Sequence, residues 1–422
     1  MSGVVEARMC AALDRRRAAG TLRVVDSDGD AGGSLVDFAS NDYLGLARDA
    51  GIYAGALRAE LAALDDAAAV PRQLSGSTGA RLLSGASAGV HGAFEAYLAA
   101  FHGGAAALLF VSGYAANCGV LSTIADVGDT LLFDELSHNS TRFGFQRGRQ
   151  REAKPFPHND ADAVRRLVAD VRAREHDLGA ARGTVFISVE SVYSMDGDEA
   201  PLDALADVCL EDGAACLVVD EAHATGVVGA QGRGAVSLLS EAKQRTVVAR
   251  IHTFGKAVGC GGAAVIGSEA LRSYLANYAQ PFIYSTSPAP HASRLAKRCY
   301  DEMRSESGDA RREKLHGLVS LFRVELADAG EALIPSSSAI QAVVISGAKR
   351  CVHVASHVRS AGFDVRAIRA PTVLAGSERL RIIIHAHNTR EQVCGVAAAI
   401  RAALRSAEID ADLASRAADL KA

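Results

Sequence analysis

Residues 215–226 read ACLVVDEAHATG and residues 252–265 read HTFGKAVGCGGAAV. The first opens as a short unbroken apolar run and stops on a carboxylate, Asp220. An unbroken run of this kind marks a strand buried on both faces, as in a parallel sheet covered by helices. An acid at the end of such a strand is costly to bury alone, so Asp220 predicts a cationic or hydrogen-bonding partner. Similar runs stand at AALLFV (106–111), TLLF (130–133), TVFISVE (184–190), VVARIHTF (247–254) and AAVI (263–266). Helical stretches separate them, which predicts an α/β fold with a mostly parallel central sheet. Ligands of such sheets bind beyond the carboxyl ends of the strands. Ser112, Glu190, Ser194, Asp220 and Thr253 all fall there and should converge on one crevice.

The flanks differ. Residues 88–101 (AGVHGAFEAYLAAF) place Val90, Phe94, Tyr97, Leu98 and Phe101 on one helical face. Beyond about residue 292 come a long helical run, AIQAVVIS, a helix, FDVRAI, RLRIIIH and a last helix. These predict a smaller C-terminal α+β domain. The expected organisation is an N-terminal segment over 1–45, a large domain over 46–292, the smaller domain over 293–405 and a tail over 406–422.

With 422 residues, 49% of them hydrophobic and 22% charged, the composition is that of a soluble globular enzyme. A formal net charge of -4 argues against general nucleic-acid binding, which needs clustered basic surface. No apolar run approaches the roughly 20 residues of a membrane span. The start, MSGVVEARMCAALDRRRAAG, has no apolar core after its charges and makes a poor signal peptide. Eight scattered cysteines, none in CxxC spacing, are read as reduced thiols. A cytoplasmic protein is expected. His353 with His357, and His385 with His387, could each share a face, but neither pair is expected to have cysteine or acid partners nearby. No metal site is expected.

Lys256 is the one lysine of seven set among glycines and apolar residues. Desolvation favours the uncharged, nucleophilic amine. Alone it reads equally as a lysine in a glycine-rich turn. Asp220 could face a protonated pyridine nitrogen, with His223 near a ring oxygen. The DEAH tetrad also occurs in helicases, but those need a P-loop and the sequence has none. Ser112, Gly113 and Tyr114 follow a strand and open a helix, a place for phosphate. His138 in DELSHNS (134–140) could lie flat on a ring. An amine, an acid, phosphate donors and a flat group are the four things pyridoxal phosphate asks of a protein.

Together with ALDRRRAAGTLR, DFASNDYLGL, GSTGARLLSG, ESVYSMDGDEAPL, FIYSTSPAP and IRAPTVLAGSERLR, these segments resemble, in order and spacing, the α-oxoamine synthases. Those are fold-type I pyridoxal-phosphate enzymes that condense an amino acid with an acyl thioester and release carbon dioxide. The resemblance runs from about residue 11 to about residue 400. It implies that Lys256 is the Schiff-base lysine, His138 the stacking residue, Asp220 the acid at the ring nitrogen, and His223 and Ser194 the contacts to the ring oxygen. It implies cofactor and phosphate contacts from Gly113, Tyr114 and Thr253. Thr286 resembles a phosphate contact made across a homodimer. Arg23, Asn41, His138, Arg369 and Thr372 match substrate-binding positions. GGAAV after the lysine loop is similar to family members that join L-alanine to a pimeloyl thioester, giving 8-amino-7-oxononanoate for biotin. Members using glycine or serine usually carry a GGY-type segment. Ala370, Leu374 and Ala86 depart from the family pattern and bear on the acyl substrate rather than the cofactor.

Overall fold

The apolar runs become strands, numbered here along the chain. β2 (Ala106–Phe110), β3 (Thr130–Asp134), β4 (Glu152–Phe156), β5 (Val185–Glu190), β6 (Ala215–Asp220), β7 (Val247–Thr253) and β8 (Ala263–Gly267) form one seven-stranded sheet. Its order is β2-β8-β7-β6-β5-β3-β4. The pairs from β4 through β7 are parallel, and β8 is antiparallel to both β7 and β2. This computed structural model describes residues 2–18, 22, 35–65, 76–83 and 88–419. Arg23 and Ala86 lie outside the described residues.

Side-chain alternation explains why the strands read as unbroken runs. Val185, Ile187, Val189, Leu217 and Val219 point into one core, which also takes residues of helices Ala161–Asp177 and Leu202–Asp212. Phe186 and Val218 point into the opposite core, with Ala249 and Ile251 of β7 and residues of helices Gly113–Leu121 and Glu269–Tyr278. Both faces are therefore apolar. Each fully buried Val, Leu or Ile contributes about 1.5–3 kcal/mol relative to exposure.

The antiparallel direction of β8 follows from chain length. Only residues 254–262 separate β7 from β8, too few for the crossover that a parallel pair needs. The connection is a hairpin, and Lys256 sits on it.

The chain divides into two compact units, Asn41–Ser194 with Asp198–Glu313, and Met1–Ser40 with Met195–Gly197 and Lys314–Ala422. The first holds the large sheet. In the second, β9 (Ile340–Val344), β11 (Arg366–Ile368) and β12 (Arg379–Ile383) form an antiparallel sheet in the order β11-β12-β9. There too, β1 (Val36–Asp37) pairs in parallel with β10 (Phe363–Asp364). The short piece 195–197 joins this unit through an Asp196–Arg379 ion pair and a bond from the Ser336 hydroxyl to the Gly197 carbonyl.

One sequence expectation is corrected in this second unit. The His385–His387 pair does have an acid beside it: β1 brings Asp37 within ligand-sharing distance of both rings. Asp37 accepts the Ala39 and Ser40 N–H groups and the Ser40 hydroxyl. His385 turns Nε2 toward the Ser40 carbonyl (2.9 Å) and Nδ1 toward the Asn388 side-chain oxygen (3.1 Å). The cluster ties β1 to the end of β12 by hydrogen bonds. His353 and His357 lie side by side on an exposed helix face, their rings tilted 57° to one another at 4.5 Å.

Candidate active site

Parallel strands end on the same side, so β5 and β6 deliver Glu190 and Asp220 side by side in register. Asp220 is buried. One carboxylate oxygen accepts the Ala222 N–H (2.9 Å) and the other accepts the Asn117 side-chain amide (2.6 Å). The next turn carries His223. Its Nε2 lies 2.6 Å from Lys256 Nζ, and its Nδ1 lies 2.6 Å from the hydroxyl of buried Tyr43. Tyr43 donates in turn to Asn41 Oδ1 (3.2 Å). With the lysine as donor, the bonds run one way: Lys256 to His223, His223 to Tyr43, Tyr43 to Asn41.

The hairpin that presents Lys256 is held closed by its own backbone. Gly259 N–H meets the Lys256 carbonyl and Cys260 N–H meets that of Phe254, both at 2.8 Å. Gly259 has φ +74, and a Cβ there would fall 2.5 Å from the Ala47 backbone nitrogen. Only glycine fits this approach.

His138 starts the helix Asn139–Phe145 and caps it through its side chain, with Nδ1 accepting the Ser140 N–H (3.2 Å). The Ser140 hydroxyl is 2.7 Å from the same nitrogen. Glu190 accepts the His138 backbone N–H at 2.7 Å. Burial lowers the His138 imidazole below its usual range and the Lys256 charge adds to this, while Asp220 opposes it. Burial, reinforced by the neighbouring Asp220 charge, pushes Glu190 up to about 8.

Ser112 caps the helix Gly113–Leu121 by accepting the Ala115 N–H at 3.1 Å. At Gly113 a Cβ would come 3.1 Å from Thr253 Oγ1, so a side chain would crowd the space between the helix start and the end of β7. Tyr114 is exposed, with its ring edge-on to His138 at 6.4 Å. Half-buried Ser194 lies four residues beyond the end of β5. Thr286 is exposed and bridges to Ala80. Arg369 and Thr372 belong to the other unit, where the Thr372 N–H closes a turn on the Arg369 carbonyl (2.9 Å).

Thus Lys256, His223 and Asn41 form one bonded group, and Asp220 and His138 a second. Tyr43, Asn117 and Ser140 complete these groups. Tyr43 lies in DFASNDYLGL, Asn117 in SGYAAN (112–117) and Ser140 in DELSHNS, and the sequence alone assigns none of them a role. The helicase-like glutamate, Glu221, is a brace: it accepts the Ala235 and Val236 N–H groups and the Ser191 hydroxyl. The donor set suits a flat anionic cofactor, with an amine for covalent attachment, a buried carboxylate, an imidazole and open helix amides.

Comparisons with known proteins agree with this fold. Residues 34–400 match the family model for class I and II aminotransferases. The chain is 37% identical to an 8-amino-7-oxononanoate synthase of Emericella nidulans, over 86% of this chain and 88% of the relative. Among solved structures, a Sphingomonas wittichii serine palmitoyltransferase superposes with a TM-score of 0.81 at 27% identity, covering 95% of this chain and 98% of that one. A serine palmitoyltransferase variant of S. paucimobilis, solved with PLP and myriocin bound, gives a TM-score of 0.79 at 25% identity, with 95% and 98% covered.

Proposed function

The chain belongs to the class I and II aminotransferase family, in its α-oxoamine synthase branch, and on that premise we propose that it condenses L-alanine with a pimeloyl thioester. The products are 8-amino-7-oxononanoate, the free thiol carrier and carbon dioxide, a step of biotin synthesis. The observation that carries the substrate choice is the 37% identity to an 8-amino-7-oxononanoate synthase across most of both chains. The GGAAV segment after the lysine loop supports it. The enzyme is a fold-type I, pyridoxal-phosphate-dependent acyltransferase.

When bound, pyridoxal phosphate supplies an aldehyde for amino groups and a ring that withdraws electrons from the α-carbon. Lys256 would hold it through Nζ. Asp220 would face the ring nitrogen, His138 the ring plane, and His223 and Ser194 the ring oxygen. Gly113, Tyr114 and Thr253 would take the phosphate, with Thr286 reaching it across a homodimer. Asn41, Arg23, Arg369 and Thr372 would hold substrate, the arginines through carboxylates. With the cofactor bound, the Lys256 amine would serve as the base for the α-proton of alanine, and His223, 2.6 Å from Nζ, would receive or return a proton there. Asp220 keeps a negative charge where positive charge is needed throughout.

A dimer is supported by apolar surface on the same unit. Tyr53, Leu57 and Leu61 lie along one face of the helix Ala50–Asp65 with 57%, 46% and 63% exposure, and Tyr284 beside Thr286 is 81% exposed. Among the described residues no helix is long and apolar enough to cross a membrane, and a cytoplasmic location is part of the proposal.

The serine palmitoyltransferase neighbours favour a second reading, the same chemistry on serine and a longer acyl chain. Mass spectrometry of products from the purified holoenzyme separates them, with alanine, glycine or serine offered against thioesters of graded chain length. The main reading expects 8-amino-7-oxononanoate as the dominant product. A long-chain ketone made from serine would replace it with the second.

A further inference from the structure

The carboxylate at the end of β6 and the imidazole at the start of helix Asn139–Phe145 are joined by two buried side chains. Asn117 is 3% exposed and Ser140 is fully buried. The Asn117 amide nitrogen donates to Asp220 Oδ2 at 2.6 Å and to Ser140 Oγ at 3.1 Å. Ser140 Oγ lies 2.7 Å from His138 Nδ1. We propose that Asn117 and Ser140 are positioning residues, which fix the Asp220 carboxylate and pin His138 as its Nε2–H tautomer. This rests on the reading of Asp220 and His138 as the groups that flank pyridoxal phosphate.

The direction of each bond follows from the donor inventory. A carboxylate only accepts, so the Asn117 group facing Asp220 is the NH₂. Its second N–H goes to Ser140 Oγ, which must then send its own proton onward. Among the described residues, the acceptor it meets is His138 Nδ1. The Ser140 backbone N–H points at that same nitrogen from 3.2 Å. Two donors on Nδ1 leave no room for a proton there, so a neutral ring carries its proton on Nε2. They also resist a second protonation, which the charge of Asp220 would otherwise encourage. The ring is thus held neutral and in one orientation while a bonded chain runs from it to the acid. Small displacements of groups that orient a reacting centre can cost on the order of a hundredfold in rate.

Nitrogen-15 NMR of the histidine-labelled holoenzyme tests this, with the His138 signals identified by their loss in His138→Asn. The expected spectrum has a pyridine-type Nδ1 and a protonated pyrrole-type Nε2 around neutral pH. In Ser140→Ala and Asn117→Ala the two shifts should move toward the tautomer average or the charged ring. Their kcat should fall on the order of tenfold or more, with KM for the amino acid little changed. A protonated Nδ1 in the wild type overturns the proposal, and so do unchanged His138 shifts in both variants. The wild-type spectrum decides alone if a variant does not fold. Visible absorbance of bound cofactor, read on the same sample, separates the two levels. A colourless wild type ends the functional reading and this proposal with it, whereas a yellow enzyme with Nδ1 protonated ends only the proposal.

Discussion

At the scale of single residues, the site is a set of charges whose neighbours are already fixed. Asp220 is bonded through both oxygens before any ligand is considered. Asp220→Asn keeps the shape but removes the charge, and an amide does little to hold a ring nitrogen protonated. Turnover should fall on the order of a thousandfold while the circular dichroism stays that of the wild type. Near-normal turnover would refute the electrostatic role. Glu190 allows a different test. Burial, with help from Asp220, raises its carboxyl to about 8 against an ordinary 4.5. Between those values the folded chain keeps a proton that the unfolded chain has released. Stability from this group is therefore present below about pH 4.5 and declines as pH rises toward 8. Glu190→Gln, which cannot titrate, should stabilise the cofactor-free protein relative to wild type by on the order of a few kcal/mol at pH 8 and much less at pH 5. Urea unfolding of both proteins at the two pH values measures the gap, and an equal gap at both would show that Glu190 ionises normally.

At the scale of elements, the strands easiest to read were those with both faces in a core. β5 is buried throughout and β6 at all but Cys216, so neither shows the alternation of a half-exposed strand. β4 (EAKPF) was missed because it is an edge strand, mostly half-exposed and interrupted by Pro155, as edge strands tolerate. The two-residue strands β1 and β10 are too short for any period. The site followed the same divide. Lys256, Asp220, His138 and His223 stood out by residue type and setting. Tyr43, Asn117 and Ser140 take their roles only from side chains brought near by the fold, which spacing along the chain does not report. Direction was also hidden, since AAVI reads alike whether β8 runs parallel or antiparallel. The hairpin between β7 and β8 makes its own prediction. Gly259→Ala would force a side chain into positive φ and against the Ala47 backbone. The strain alone costs about 1–3 kcal/mol. The variant should melt several degrees lower and hold cofactor poorly, both visible in one thermal scan followed at the cofactor band. Retained Tm and colour would show that the hairpin adapts.

At the scale of the whole molecule, buried histidines set the response to acid. Burial lowers His102 to about 3 and His91 to about 4. A histidine held neutral in the fold stabilises above the ordinary value of 6.5, and that contribution is lost as pH falls through 6.5 toward the lowered value. His158 works in the opposite sense. Burial opposes its charge, but bonds to Asp134 and Asp198 outweigh this and raise it to about 9, so its contribution is lost as pH climbs from 6.5 to 9. Below 6.5 the histidines that burial holds neutral, His138 and His252 as well as His102 and His91, outweigh Glu190, and above it Glu190 and His158 decline together. The Tm of the cofactor-free protein should peak near pH 6.5, about the ordinary histidine value. A Tm still rising through pH 8 would contradict this balance.

The pairing of β1 with β10 has a consequence in time. Val36 and Asp37 bond to Phe363 and Asp364, more than three hundred residues further along the chain. A ribosome covers that stretch in on the order of tens of seconds, and folding generally proceeds from the first domain made. Residues 41–313, apart from 195–197, contain the whole large sheet and can assemble while synthesis continues. The segment before them must wait with its strand edge unpaired until the last part of the chain appears. During that interval it presents open backbone groups to any other strand, including its own copy on a neighbouring nascent chain.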